Sequence, residues 1–131
     1  MTSTESQAYI DAMATGRGYV PDYHKVMARH DFGVLQATNG LARATYEDPR
    51  TLDPKVKELL FIVSLTVLRA ESGFLTSHIQ RALDLGTNPQ EVLEAIELVL
   101  PVAGIVAFLS GFEAWSEVTA ATGIEPSATS R

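Results

Sequence analysis

The side chain best suited to proton chemistry in this sequence is His78. In a helix over about 73–85, His78 shares an apolar face with Phe74 and Ala82, so its imidazole faces inward. A partly desolvated imidazole can exchange protons near neutral pH, because the pKa of histidine is easily moved across that range. A core histidine bonded to one backbone carbonyl produces the same pattern, so that alternative stays open.

Two charged residues, Glu71 and Arg81, lie close enough to His78 in the sequence for their side chains to approach the imidazole. Glu71 lies seven residues earlier, and a bend at residues 72–73 lets its carboxylate fold back toward the imidazole. A capping role at the helix N-terminus is the alternative for Glu71. Arg81 follows His78 by three positions and can hold a substrate carboxylate with its forked donors, or simply lie exposed. Glu71 and His78 therefore resemble an acid–base pair more than a metal site.

The remaining candidates carry weaker signals. His24 and His30 are six residues apart, which is not a metal-ligand spacing on a helix, and we expect surface or capping roles for both. Glu113 lies between Phe112 and Trp115 and is either a buried acid of the binding pocket or a solvated residue. Motifs for zinc, for phosphate-binding loops and for serine hydrolases are absent from the sequence, so we expect no metal and no cofactor.

The elements that must position these residues are all predicted to be helices. The periodicity indicates helices at about 7–14, 21–46 (one helix or two), 53–69, 73–85 and 88–122, the last kinked or divided at Pro101. Asp53 with Pro54, Ser72, and Asn88 with Pro89 are helix-start signals, and Gly86 is a stop signal. The prediction is an all-α, single-domain bundle of five to seven helices.

Composition narrows the possible function classes. The 131 residues include no cysteine, which excludes disulfides, thiolate metal sites and thiol nucleophiles. A net charge of -6 argues against nucleic acid or an anionic membrane as a partner.

The apolar runs and the N-terminal sequence indicate where in the cell the protein acts. The apolar runs at 59–68 and 98–108 are too short to span a bilayer, and the N-terminus lacks a signal-peptide pattern. We therefore expect a cytoplasmic domain over 1–131, with disordered tails at 1–6 and about 124–131.

Four segments together resemble the carboxymuconolactone decarboxylase family. They are RGYVP at 17–21, LDPKVKEL at 52–59, HIQRALDLG at 78–86 and PQEVLE at 89–94. The resemblance covers about residues 17–120 and implies the all-helical fold that this family shares with alkyl hydroperoxidase D-like proteins.

The resemblance also implies which chemistry is available. In the peroxidase-like branch the histidine ends a Cys-x-x-Cys-x-x-x-His motif, and here the two cysteine positions hold Glu71 and Phe74. The chain therefore resembles the cysteine-free decarboxylase branch, in which a histidine and a glutamate act as acid and base without a cofactor. On this resemblance His78 and Glu71 are the expected catalytic residues, and Arg81, Phe74 and Glu113 the expected substrate-binding residues.

The substrate expected from the resemblance is a small lactone or unsaturated carbonyl acid. Family members that act on the lactone show Tyr-x-Gly-x-Pro in a later helix, whereas this chain has Val102 and Val106 around Gly104. The pocket is then more apolar, and a non-catalytic module for binding small molecules or for assembly on the same scaffold is the alternative function. The resemblance further implies a homo-oligomer, either a trimer or a hexamer.

Overall fold

The computed structural model describes residues 3–17 and 20–121, and within these ranges the fold is all-α, as predicted. The chain divides into two compact units between Asp48 and Pro49. The single domain predicted over 1–131 stays a prediction. The predicted tail at 124–131 and residues 1–2 lie outside the described residues, whereas residues 3–6 belong to the first helix.

The described residues form seven α-helices, at the upper end of the predicted number. The first unit contains α1 (Ser3–Arg17), α2 (Asp22–His30) and α3 (Phe32–Ala42), which a π-helical turn extends over Arg43–Glu47. The second unit contains α4 (Pro54–Val67), α5 (Ser72–Asp84), α6 (Pro89–Glu97) and α7 (Val99–Ala121).

The first unit is held together by a small apolar cluster. Ile10 of α1 packs with Ala28 of α2 and with Phe32 and Leu35 of α3. The helix predicted over 21–46 is divided at Asp31, whose φ of -154° and ψ of 63° are not helical. Of the two alternatives, one helix or two, the structure shows two.

Most helix ends of the second unit follow the sequence signals. The Asp53 side chain accepts a hydrogen bond from the backbone N–H of Lys55 at 2.8 Å, and Pro54 follows it. Asn88 and Glu91 form a reciprocal capping box at the start of α6.

The stop signal after α5 is also confirmed. Gly86 has a φ of 99°, a conformation that side chains with a Cβ rarely adopt. The N–H groups of Gly86 and Thr87 donate to the carbonyls of Leu83 and Ala82, respectively, which satisfies the end of α5.

The start of α5 differs from the prediction by one residue. Glu71 occupies the N-cap position with extended backbone, and Ser72 is the first helical residue. The Ser72 hydroxyl donates to Glu117 Oε2 on α7 at 3.1 Å instead of capping its own helix. The prediction that Ser72 is the N-cap is therefore wrong, because a partner on α7 takes up its hydroxyl.

The core of the second unit is formed by all four of its helices. Its fully buried members are Ile62 on α4, Leu75, Ile79 and Ala82 on α5, and Val92 and Ile96 on α6. Trp115 of α7 completes this core and donates its indole N–H to the carbonyl of Pro89 at 2.9 Å. The close packing of these helices fixes which faces of α4 and α5 meet.

The last helix is broken at Gly104 and not at Pro101. Gly104 has φ 87° and ψ 179°, a region of backbone space essentially reserved for glycine. Pro101 is the third residue of α7, and in the first turn of a helix the missing N–H removes no intrahelical hydrogen bond. The helix predicted over 88–122 is divided at Leu98, three residues before Pro101, and its second part is broken again at Gly104.

Helix α7 is the one helix in the described ranges that is long and apolar enough to cross a membrane by length and composition alone. From Ala107 onward, however, it buries Ala114, Trp115 and Val118 in the core of the second unit. A core helix passes the same test, so α7 is weak evidence for a membrane span.

Candidate active site

The most unusual residue of the second unit is Glu58, a carboxylate that is only 1% exposed. His78 Nδ1 of α5 lies 2.7 Å from Glu58 Oε1, and Arg81 Nε of the same helix lies 3.2 Å from Glu58 Oε2. Both carboxylate oxygens therefore have a nitrogen donor. We refer to Glu58, His78 and Arg81 together as the Glu58 cluster.

The cluster results from the packing of α4 against α5. Residues three apart on a helix are neighbours on its surface. On α4 this spacing joins Glu58 to Phe61, and on α5 it joins His78 to Arg81. Two such pairs facing each other place all four side chains in one small region.

The electrostatics of the cluster favour a charged Glu58. A buried carboxylate is costly unless it is paired and hydrogen-bonded, and Arg81 supplies a permanent positive charge. Because an ionised carboxylate can only accept hydrogen bonds, we assign the proton to His78 Nδ1, which donates a hydrogen bond to Glu58. This assignment makes Nε2 the imidazole nitrogen that points away from the carboxylate.

The cluster is open toward the surface on the side of α5. The His78 side chain is 20% exposed and the Arg81 side chain 58%. The ring of Phe61, itself 39% exposed, lies against the imidazole with the ring centroids 4.9 Å apart and the planes inclined by 36°. A buried acceptor, a half-buried imidazole and an accessible guanidinium can together bind an anionic molecule and transfer a proton to or from it.

The structure brings together two of the five residues predicted for the site. His78 and Arg81 share the carboxylate of Glu58, so the alternative of a histidine bonded to a backbone carbonyl does not describe Nδ1. Glu71 is exposed at the start of α5, and the partner of Nδ1 is Glu58 in its place. Phe74, 52% exposed, and Glu113 lie at the surface, so Glu113 takes the solvated position of its two alternatives.

Glu58 is the residue that sequence reasoning missed. It lies on the same face of α4 as Ile62 and Thr66, which are both fully buried. A glutamate at the start of such an inward-facing stripe indicates a buried carboxylate with a donor partner, because an unpaired buried charge is rarely tolerated. The sequence alone does not indicate which helix supplies the compensating donors.

The other buried histidine, His24, belongs to the first unit. It is 2% exposed, and its Nδ1 lies 2.9 Å from Met13 Sδ of α1. The expectation of a surface or capping role is therefore wrong for His24, because α1 packs against its face of α2. His30 is exposed in the last turn of α2, where a basic residue complements the helix dipole.

No cluster in the described ranges suggests a metal centre. Within residues 3–17 and 20–121, no three histidine, aspartate or glutamate side chains converge in a way that could hold a metal ion. The absence of a cofactor stays a prediction.

The described residues thus form an all-α fold in which a buried glutamate is bonded to a histidine and an arginine. A family model described as "Carboxymuconolactone decarboxylase family" matches residues 21–117. The chain therefore belongs to the carboxymuconolactone decarboxylase family. Neither the comparison with curated proteins nor the comparison with solved structures gave a match.

Proposed function

We propose that the protein is a cofactor-independent acid–base enzyme that decarboxylates a small lactone or unsaturated carbonyl acid. The observation that carries the proposal is the 2.7 Å contact between His78 Nδ1 and the buried carboxylate of Glu58. Family membership supports the reaction class, and the open side of the Glu58 cluster supports a small anionic substrate.

The proposed reaction follows from the chemistry of a vinylogous β-keto acid. When the bond between carbon and the carboxylate breaks, carbon dioxide leaves and the electron pair moves through the double bond into the lactone carbonyl. The resulting dienolate then takes up a proton at carbon. The protein must stabilise the dienolate charge and supply that proton, and a positioned general acid typically contributes ~10²–10⁴-fold to the rate.

The roles in this reaction are assigned from the geometry of the cluster. Protonated His78 delivers its Nε2 proton to carbon and is reprotonated from solvent. Glu58 holds the imidazole by its Nδ1 edge and compensates its positive charge, as a carboxylate does for a catalytic histidine elsewhere. Arg81 donates through Nε to Glu58 and presents its outer nitrogens to the substrate carboxylate.

Three sequence-based assignments remain proposals with less geometric support. Glu71 as a second acid–base group, and Phe74 and Glu113 as substrate contacts, all concern exposed side chains. Phe74 lies four residues before His78 on α5, so it is the best placed of the three to contact a molecule bound at His78.

A substrate screen in heavy water tests the proposed function directly. Unsaturated lactone acids, β-keto acids and quinone-like acids are incubated with the protein, and carbon dioxide release and product mass are recorded. A substrate should lose carbon dioxide and gain one deuterium at carbon, and a His78→Gln variant should do neither. Binding of these compounds without conversion by the native protein would instead establish the alternative, a non-catalytic binding module.

The homo-oligomer is a separate proposal that rests on the surface of the first half of α7. Residues 98–109 contain no charge, and several of their aliphatic side chains are exposed, Val102 to 78%. Exposed apolar patches of this kind mark interaction sites, and the expectation from the family is a trimer or hexamer of this chain.

Light scattering combined with size-exclusion chromatography tests the assembly. A Val102→Asp variant should have a lower mass than the native protein, because a charge in a buried apolar interface is poorly tolerated. The matched control is Ala120→Asp at an exposed position near the end of the same helix. A monomeric native protein would contradict the proposal.

A further inference from the structure

We propose that Phe61 is a positioning residue for His78, which holds the plane of the imidazole so that Nε2 keeps one direction toward the substrate. The inference rests on the proposed function, in which Nε2 delivers the proton. It concerns a residue that neither the sequence pattern nor the family resemblance singled out.

Phe61 and Glu58 contact different parts of the same ring. Glu58 holds the edge of the imidazole at Nδ1 across 2.7 Å, and the Phe61 ring lies against its face with a centroid distance of 4.9 Å. Because Phe61 follows Glu58 by three residues, one turn of α4 supplies both contacts. The imidazole is therefore restrained in two directions by a single rigid element.

The hydrogen bond alone leaves the ring considerable freedom. The terminal torsion of a histidine side chain joins sp³ and sp² atoms, and its energy well is broad. Rotation about that torsion swings Nε2 while a bent hydrogen bond to Glu58 persists. An aromatic ring against the imidazole face blocks this rotation on one side, and a misplacement of ~1 Å can cost ~10²-fold in rate.

Packing of the hydrophobic core does not account for the position of Phe61. The ring is 39% exposed and is absent from the buried cluster that Ile62, the next residue, helps to form. This partly exposed ring contacts the imidazole of His78.

The kinetic test compares three variants at and beside this position. Phe61→Leu keeps the side chain apolar but removes the flat ring, Phe61→Tyr keeps the ring, and Leu60→Ala changes the neighbouring exposed residue as a control. In Phe61→Leu we expect kcat to fall by about 10–100-fold with KM within about twofold, which is the signature of a misoriented catalytic group. Phe61→Tyr and Leu60→Ala should stay within about threefold of the native kcat.

A second readout requires no substrate. In nitrogen-15 NMR of the histidine side chains, the proton on His78 Nδ1 should give a defined downfield resonance in the native protein and in Phe61→Tyr. In Phe61→Leu this resonance should broaden or split, since the ring samples more than one orientation. Thermal unfolding of each variant establishes that the fold is retained.

Two results would overturn the inference. One is a Phe61→Leu variant that changes KM and leaves kcat intact, because Phe61 would then contact the substrate and not position the imidazole. The other is an unchanged Nδ1 resonance in folded Phe61→Leu. If no substrate is converted by the native protein, the proposed function fails while the resonance still decides whether Phe61 restrains His78.

Discussion

Each of the two units holds one histidine in a largely buried position, and the two sites differ in what they can do. In the first unit, His24 Nδ1 faces the thioether of Met13, and the ring of Tyr23 meets the imidazole edge-on at 4.3 Å. In the second unit, His78 Nδ1 faces the carboxylate of Glu58, which is also bonded to Arg81. Burial is greater for His24, and the group facing Nδ1 is a neutral sulfur at His24 but a carboxylate at His78.

The contrast between these histidines indicates that burial alone does not prepare an imidazole for proton transfer. A thioether sulfur is a weak acceptor and offers no charge to compensate an imidazolium. A carboxylate fixes the tautomer and compensates the positive charge that forms when the ring is protonated. In the proposed function, the remaining exposure of His78 lets a substrate reach the ring, whereas His24 is almost completely buried.

Replacing each histidine by glutamine should separate the two sites most clearly. His78→Gln should lower the rate of carbon dioxide release by roughly 10²–10⁴-fold, because glutamine cannot act as a general acid. The measurement is the initial rate on the substrate identified by the screen, with circular dichroism as the check on folding.

His24→Gln is the matched control from the first unit. It should keep turnover within about threefold while lowering the free energy of unfolding by about 1–3 kcal/mol, the usual range for a disturbed buried polar group. Full activity of folded His78→Gln, or loss of activity in folded His24→Gln, would contradict the proposal that His78 and not His24 is the catalytic histidine.

The carboxylate partner provides the second largest expected effect. Glu58→Gln removes the charge that compensates the imidazolium but keeps the shape of the side chain, so we expect kcat to fall by about 10²-fold. Glu71→Gln is the informative counterpart, since Glu71 was the carboxylate predicted from the sequence and is exposed in the structure. A larger loss in Glu71→Gln than in Glu58→Gln would restore the sequence-based assignment.

The histidine of the site was predictable from the sequence, whereas its carboxylate was not. His78 lies at helical spacing from apolar residues of its own helix, so neighbouring residues in the sequence are enough to place it on the inward face. Glu58 lies twenty residues earlier on α4, and only the packing of α4 on α5 joins them. A bend at residues 72–73 was expected to bring Glu71 back, but Glu71 ends as the exposed N-cap residue instead.

Most helix ends that carry their own chemical signal were predictable, with Ser72 at the start of α5 as the exception. Asp53 with Pro54 and Asn88 with Glu91 cap their helices as expected, because capping involves backbone groups within three residues. Proline is a strong helix breaker, so the sequence predicts a division at Pro101, whereas the structure divides the predicted helix at Leu98 and breaks its second part at Gly104. Gly104 breaks the helix because its positive φ is accessible to glycine, a possibility that the residue type permits but does not require.

One glycine in each unit allows a comparison of how closely the helices pack, because the free energy of unfolding reports the cost of an added methyl group. At Gly111 of α7 an added methyl group would overlap the Thr66 hydroxyl and approach Ile96 Cγ2 to 3.0 Å. Gly111→Ala should therefore lower the free energy of unfolding by about 1–3 kcal/mol, the cost of overpacking a close helix crossing. Denaturant unfolding followed by circular dichroism provides the measurement.

The matched substitution in the first unit is Gly40→Ala. An added methyl group at Gly40 would meet nothing within 4 Å, and the residue lies within α3. Alanine there should raise the free energy of unfolding by about 0.5–1 kcal/mol, because it restricts the unfolded chain more than glycine does. If Gly111→Ala instead raises the free energy of unfolding as Gly40→Ala does, the α4–α7 crossing tolerates a side chain at Gly111.

The smallest expected kinetic effect concerns Arg81, for which we propose a role in binding the substrate and not in transferring the proton. Arg81→Lys keeps a positive charge on an exposed arm but loses the planar fork that can bond Glu58 and a substrate carboxylate at once. We expect KM to rise about tenfold and kcat to change less than about threefold, because the lost contact acts on the ground state and the transition state alike. Arg43→Lys is the control, since Arg43 lies in the first unit and outside the Glu58 cluster. A fall in kcat at unchanged KM in Arg81→Lys would place Arg81 with Glu58 in the support of His78 and remove it from substrate binding.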